Sequence, residues 1–273
     1  RNTALLSGVA VSGLGVTEAS MGVDAGDFDN DGDEDLFMTH LTREGNNLYV
    51  NDGAGMFQDA SVQSGLGVGS MAYTGWGTTW FDYDNDGWLD VLTVNGTITA
   101  RDTSSDQPFP YDQRKTLFRN LQDGRFGDVT AEAGPAFTLS ESGRGAAFGD
   151  IDNDGDMDVL VGNDGGPLRL LINQLNGRHH WLGLRLVDGN GRDALGARVG
   201  VHPPGIPTRW RRARADGSYA SANDPRILVG LGDTAGSVVV DILWPSGRRE
   251  QWDEIESDQW TTLQEGEGRA VAP

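Results

Sequence analysis

A nine-residue acidic segment recurs three times in this chain. Asp27–Asp35 reads DFDNDGDED, Asp82–Asp90 reads DYDNDGWLD and Asp150–Asp158 reads DIDNDGDMD. Each copy carries Asp at its first, third, fifth and ninth positions around an Asn-Asp-Gly turn. Four carboxylates packed so closely repel one another unless a hard cation sits among them. Calcium takes roughly six to eight oxygen ligands, and short acidic loops with Gly at the sharp bend supply them. The spacing assigns side-chain ligands to the first, third, fifth and ninth positions and a backbone carbonyl to the seventh. The first loop then offers Asp27, Asp29, Asp31 and Asp35 with the carbonyl of Asp33. The second offers Asp82, Asp84, Asp86 and Asp90 with the carbonyl of Trp88. The third offers Asp150, Asp152, Asp154 and Asp158 with the carbonyl of Asp156. Trp88 supports the carbonyl assignment, since an indole cannot ligate calcium.

Two other readings of the motif fail. A tight Asn-Asp-Gly hairpin would need one Asp, not four in register three times. An EF-hand would need a bidentate Glu at its twelfth position and flanking helices. Met38, Thr93 and Val161 stand there, each inside a β-like run. Magnesium keeps several waters and seldom uses all-protein cages. Three structural calcium ions are the expectation.

The loops are the centres of longer repeats. A small-residue strand precedes each, at 21–26, 75–81 and 143–149, and a short apolar strand follows, at 36–39, 91–94 and 159–161. A third strand ends in Asn at Asn51, Asn120 and Asn173, and two repeats add a fourth around Phe57 and Phe126. Four short strands separated by Gly, Asn and Asp turns predict β-propeller blades. An insertion near Thr97 to Arg114 reads as a polar surface loop. Leu5 stands eight residues before Gly13, as Phe57 and Phe126 precede Gly65 and Gly134, so Arg1–Leu14 reads as the tail of a preceding blade. From about Leu175 the acidic loops stop and strands joined by Gly, Asp and Pro turns predict a small all-β module. Trp252–Ile255 reads as one short helical turn. The expected domains are therefore 1–174 and 175–273.

Charge narrows the partners. With 41 Asp+Glu against 21 Lys+Arg the net charge is −20. Nucleic-acid binding needs a basic face, and an anionic membrane surface attracts basic segments, so neither is expected. No apolar run approaches the ~20 residues of a spanning helix. There is no Cys, so no disulfide framework. Weak calcium loops of this type suit millimolar external calcium. Arg209, Arg211, Arg212 and Arg214 form a basic run, either a solvated strand edge or a dock for an acidic surface, including one on the same protein. Trp76, Trp80 and Trp88 surround the second loop and are expected to pack blades rather than stack on sugar. His179 and His180 are adjacent, and on a strand would point to opposite faces. No constellation of base, nucleophile and oxyanion donors can be assembled from the residues.

The three loops with their Gly/Ala strands resemble FG-GAP/VCBS repeats, the blades of integrin-α-type calcium propellers. Asn190–Val199, Gly217–Ser221, Gly230–Asp233 and Trp244–Gly247 resemble the ASPIC/UnbV module. Blades followed by that module resemble bacterial relatives of the cartilage acidic protein family. The resemblance implies an all-β fold with a partial, about three-bladed propeller and a small β-module. It also implies a secreted or cell-surface, non-enzymatic calcium-binding scaffold for protein or glycan adhesion. Two alternatives stand beside it: a carbohydrate-active lyase or hydrolase using the propeller cleft, and a structural subunit of a larger surface assembly. Three blades are fewer than the usual seven. An open arc exposes edges and apolar faces, so further blades, from the same or another chain, are expected to cover them.

Overall fold

The computed structural model describes residues 3–98, 111–175 and 177–271. Most of the predicted Thr97–Arg114 insertion lies outside them.

Each acidic loop is the hairpin turn between the first two strands of a blade. Val23–Gly26 pairs with Asp35–Met38, Gly75–Phe81 with Asp90–Asn95, and Gly143–Gly149 with Asp158–Asn163. The register is the same in all three: Gly26 faces Asp35, Phe81 faces Asp90 and Gly149 faces Asp158. The third strands are Asn47–Asn51, Thr116–Asn120 and Arg169–Leu171, and the fourth are Phe57–Asp59 and Phe126–Asp128. Among the described residues the third sheet has three strands.

Small residues in the first strands let neighbouring blades approach at the axis. A Cβ on Gly22 would lie 2.0 Å from the Trp76 carbonyl oxygen, and one on Gly77 would lie 2.6 Å from the Ala146 nitrogen. Away from the axis, larger side chains fill the space between blades. Phe28, Phe37, Leu48, Trp80, Val91, Phe118 and Phe126 form one buried cluster between the first and second blades. Trp80 stacks on Phe28 at 5.5 Å.

The C-terminal part is a two-sheet module. His180–Val187 runs between Ile227–Gly232, antiparallel, and Trp260–Gln264, parallel. The second sheet has the order Arg209–Arg212, Arg198–His202, Ser237–Leu243, Arg249–Glu256, Arg269–Ala270. Alternate apolar residues of the two sheets, among them Leu182, Leu184, Val199, Val201, Val229, Leu231, Val240 and Ile242, bury one core.

Two expectations are corrected. Trp252–Ile255 is not a helical turn but part of the strand Arg249–Glu256. A register shift opposite Val238–Val240 lets both Trp252 and Ile255 pack on the core, which mimics helical spacing. Leu5 is not in a blade strand. Ala4–Ser7 is a single helical turn closed by Gly8 at φ +87°, and Leu5 is 76% exposed. This segment lies along the outer strand of the first blade, where the Gly13 amide donates to Asp59 Oδ2 at 2.5 Å. The chain's own C-terminal module sits on the side of the acidic loops.

A hook at Gly217–Asp224 makes the central contact. The Ser218 carbonyl accepts from the Val23 amide at 3.3 Å. Its hydroxyl accepts from the Thr78 amide at 3.2 Å and donates to the Ala146 carbonyl at 2.7 Å. One serine thus joins the first strands of all three blades. Asn223 and Asp224 extend the hook along Phe148, with bonds of 3.1 and 2.9 Å.

Candidate metal centre

The three loops share one backbone conformation. Asn30, Asn85 and Asn153 sit at φ +60°, +58° and +61°, and Gly32, Gly87 and Gly155 at +101°, +88° and +91°. Asn tolerates the left-handed region because its side chain bonds locally, and Gly reaches it without steric cost. This double left-handed turn folds the loop so that carboxylates separated along the chain meet.

One carboxylate oxygen from each of Asp27, Asp29 and Asp35 lies within 4.8 Å of the others; so does one from each of Asp82, Asp84 and Asp86, and from each of Asp150, Asp152 and Asp158. These three groups could hold metal ions. Of the remaining side-chain ligands assigned from the sequence, Asp31, Asp90 and Asp154 stand outside these groups, which contain side-chain atoms alone and so do not bear on the carbonyls of Asp33, Trp88 and Asp156. The ninth-position Asp has a second task in every blade. Asp35 and Asp90 each accept, at 2.8 Å, the amide of the Asn that ends the third strand, Asn51 and Asn120, and Asp158 accepts at the same distance the amide of Asn173, two residues past Arg169–Leu171. In the second loop Asp90 also accepts the Tyr83 amide at 3.2 Å, so both its oxygens serve the backbone.

The donor set fits a hard divalent cation. Both oxygens of Asp27 and Oδ2 of Asp35 are buried with no hydrogen-bond partner. Leaving such acceptors unpaired is costly, and a cation is the partner that satisfies several at once. Burial, and then the neighbouring carboxylates, push Asp35 and Asp82 up to about 8. Burial also pushes Asp27 and Asp156 up to about 6 and Asp90 well above the usual carboxylate range. The second loop has a resident counter-charge, since Arg119 lies 2.8 Å from Asp84 and 3.3 Å from Asp86.

The basic run docks on these loops. It forms the strand Arg209–Arg212 and the turn after it, and its residues are not a solvated edge: Arg209 is 3% exposed. Burial lowers Arg209 and pulls Arg211 down to about 10, against the raising charges of Asp82 and Asp27. Arg209 lies over the Trp88 ring at 5.3 Å. Arg212 pairs with Glu34 at 3.1 Å. Arg226 donates to the Asp150 carbonyl and to Asn153 Oδ1, both at 2.6 Å. Trp260 Nε1 donates to Asp150 Oδ2 at 3.0 Å, and His179 Nδ1 lies 2.7 Å from the Asp84 carbonyl. His180, the first residue of its strand, instead faces Asp258 at 2.7 Å, so the two adjacent histidines part, with His179 in the bend before that strand. The predicted tryptophan cluster also divides. Trp80 is in the blade core, Trp88 meets Arg209, and Trp76 packs on Tyr219 of the hook at 4.8 Å.

Sequence reasoning missed the residue that ties the two parts most tightly. Asp24, 2% exposed, accepts from Thr79 Oγ1 at 2.5 Å, from the Trp80 amide at 2.7 Å and from both terminal nitrogens of Arg214, Nη2 at 2.7 Å. Its one signal was an acid within a small-residue strand.

Residues 27–93 and 109–161 match the FG-GAP-like repeat family, and residues 187–270 match the ASPIC and UnbV family. Cartilage acidic protein 1 of Xenopus tropicalis is 24% identical over 91% of this chain and 45% of its own length. The Mus musculus and Homo sapiens proteins of the same name are each 23% identical over 90% of the chain. The chain spans less than half the length of these curated relatives. A C-terminal fragment of the pilus adhesin SpaC from Lactobacillus rhamnosus GG aligns at a TM-score of 0.17 with 12% identity, over 68% of this chain and 78% of that one, which is no likeness of fold.

Proposed function

For this chain, a member of the FG-GAP-like repeat proteins with an ASPIC and UnbV domain, we propose a non-enzymatic scaffold. It is pinned by three calcium ions and presents surfaces for protein or glycan binding outside the cell. One observation carries the calcium: the buried oxygens of Asp27 and Asp35 in the first cluster have no partner. The ion would be held by Asp27, Asp29 and Asp35, by Asp82, Asp84 and Asp86, and by Asp150, Asp152 and Asp158. The carbonyls of Asp33, Trp88 and Asp156, with Asp31 and Asp154, would complete the shells, and Asp90, whose two oxygens accept backbone amides, would share one of them with the ion. Calcium supplies charge neutralisation and nothing else. The chain's own residues do the rest: the Asn-Asp-Gly turns gather the carboxylates, the ninth-position Asp ties each loop to its third strand, and the module covers them.

Support for the scaffold role comes from the matched families and from the relatives' names, which speak of an acidic cartilage protein and not of a reaction. Among the described residues no helix is long and apolar enough to cross a membrane. The test is calorimetry with calcium and with excess chelator. We expect calcium to raise the melting temperature by many degrees and to bind near three equivalents. Identical melting curves in both buffers would refute the calcium reading.

A further inference from the structure

The third blade ends one strand early, and the structure shows where its fourth strand would lie. In the first two blades, the Asn ending the third strand is followed four residues later by a Gly and two after that by Phe57 or Phe126, which opens the fourth strand. The third blade repeats the spacing: Asn173, then Gly177 at φ +75°, then His179 in the phenylalanine position. There the chain departs. His180 opens the first strand of the C-terminal module instead of pairing with Arg169–Leu171.

The departure leaves the edge of the third sheet without a fourth strand. Leu170, in the register of Leu48 and Leu117, is the residue whose backbone would meet one. In the complete blades the amide of that residue donates to the hydroxyl of Ser61 or Thr130, and its carbonyl accepts from Ala60 or Val129. By the same register the amide and carbonyl of Leu170 face the open edge.

An apolar groove of about 550 Å³ lies beside this edge. Tyr83, Met157, Val159 and Leu171 line it. They are the counterparts, one blade on, of Phe28, Leu89, Val91 and Phe118, which cluster around Phe126 in the complete interface. Phe126 sits there 5.7 Å from Phe28 and 5.8 Å from Trp80. The groove is thus shaped as the seat of a fourth-strand aromatic.

We propose that this edge and groove bind an extended segment of a separate polypeptide by β-augmentation. The segment adds the fourth strand of the third blade. Its pattern follows from the two resident strands, Phe57-Gln58-Asp59-Ala60-Ser61 and Phe126-Gly127-Asp128-Val129-Thr130: an aromatic, any residue, Asp, a small apolar residue, then Ser or Thr. The aromatic enters the groove, the hydroxyl takes the Leu170 amide, and the backbone supplies the ladder. Main-chain pairing gives affinity and the pocket gives selectivity. The assignment deepens the scaffold reading and rests on it for the binding role, but not on calcium.

The test uses the full chain, in calcium, and a labelled nine-residue peptide with the sequence of residues 124–132. Fluorescence polarisation should show saturable one-to-one binding. Phe→Ala at the peptide's aromatic should weaken it at least about tenfold, the effect of ~1.4 kcal/mol. Leu170→Pro should do the same, because proline deletes an edge amide while remaining tolerated on an edge strand. Hydrogen exchange on the unmodified chain gives a reading independent of that variant's folding: the Leu170 amide should gain protection when peptide is added. No saturation at millimolar peptide, no protection, or equal binding by the Ala peptide would overturn the proposal. A self-associated chain whose groove the peptide cannot enter would assign the edge to a second copy and overturn it too. An intact calcium-dependent melting shift alongside failed peptide binding would sink this inference alone.

Discussion

Replacing Arg214 with Leu should loosen the module from the blades. Asp24 has a fully buried side chain, and Arg214 is 17% exposed. Burial alone would depress the Arg214 guanidinium, but the Asp24 charge and hydrogen bonds, with Asp216 and Glu34, hold it above its ordinary value. Removing one partner of a buried pair leaves an uncompensated charge and costs roughly 3–5 kcal/mol. The low end applies here, because Asp24 keeps Thr79 Oγ1 and the Trp80 amide. A loss of about 3 kcal/mol in a chain of this size lowers the melting temperature by roughly 6–12 °C. The assay is tryptophan fluorescence in urea and heat, in saturating calcium, on Arg214→Leu, Asp24→Asn and the double variant. The double variant should recover about 2 kcal/mol relative to the sum of the singles, since neutralising both leaves no orphan charge. Arg214→Leu should also split one unfolding transition into two, with the blades and module melting apart. A coupling below about 0.5 kcal/mol would show that the pair is not what joins them.

Without calcium, stability should fall as pH rises from about 4 to about 8. Asp35 and Asp82, at about 8, and Asp27, at about 6, lie above the unfolded value of 3.8, so the folded chain holds extra protons in that window and loses their benefit as they leave. With calcium the trend should reverse, because protons and the cation compete for the same oxygens; melting temperatures that rise with pH in chelator would refute this. Asp86→Ala should act as partial chelation, shrinking the calcium-dependent melting shift without abolishing it. Gly230→Ala should cost about 1–3 kcal/mol by overpacking. Its Cβ would stand 2.1 Å from Asp82 Oδ2 and 2.5 Å from the Asn85 carbonyl carbon, so urea unfolding within error of the parent would disprove the tight dock there.

The blades were legible because each rests on local signals. The Asn-Asp-Gly turn dictates a hairpin, and the small-residue strand before it marks the axis. The strands Gly75–Phe81, Gly143–Gly149, Asn47–Asn51 and Thr116–Asn120 fall where turn chemistry and alternation put them. The early stop of the third repeat was visible too, in the absence of a partner for Phe57 and Phe126 after Asn173. Local pattern failed where tertiary contact overrode it: Leu5, which copies blade spacing but coils into a helical turn, and Trp252, whose spacing from Ile255 reflects a bulge.

The dock was only half legible, for a physical reason. Four arginines in six residues say that an acidic surface is near, but not which one, since the chain is acidic throughout. Arg211 is set against Asp27 and Asp82, residues 184 and 129 positions earlier, and no periodicity links them. Ser218 is harder still: a serine in a Gly-Ser-Tyr turn predicts nothing until three strands from three blades are seen to converge on it. The same placement explains why the acidic loops face inward in this chain. Loops that only held a hairpin could lie anywhere on the rim. These lie under Arg209, Arg211 and Arg226, so a cation bound by Asp27 or Asp82 would change the charge those arginines meet, and blade stability and module docking would respond together.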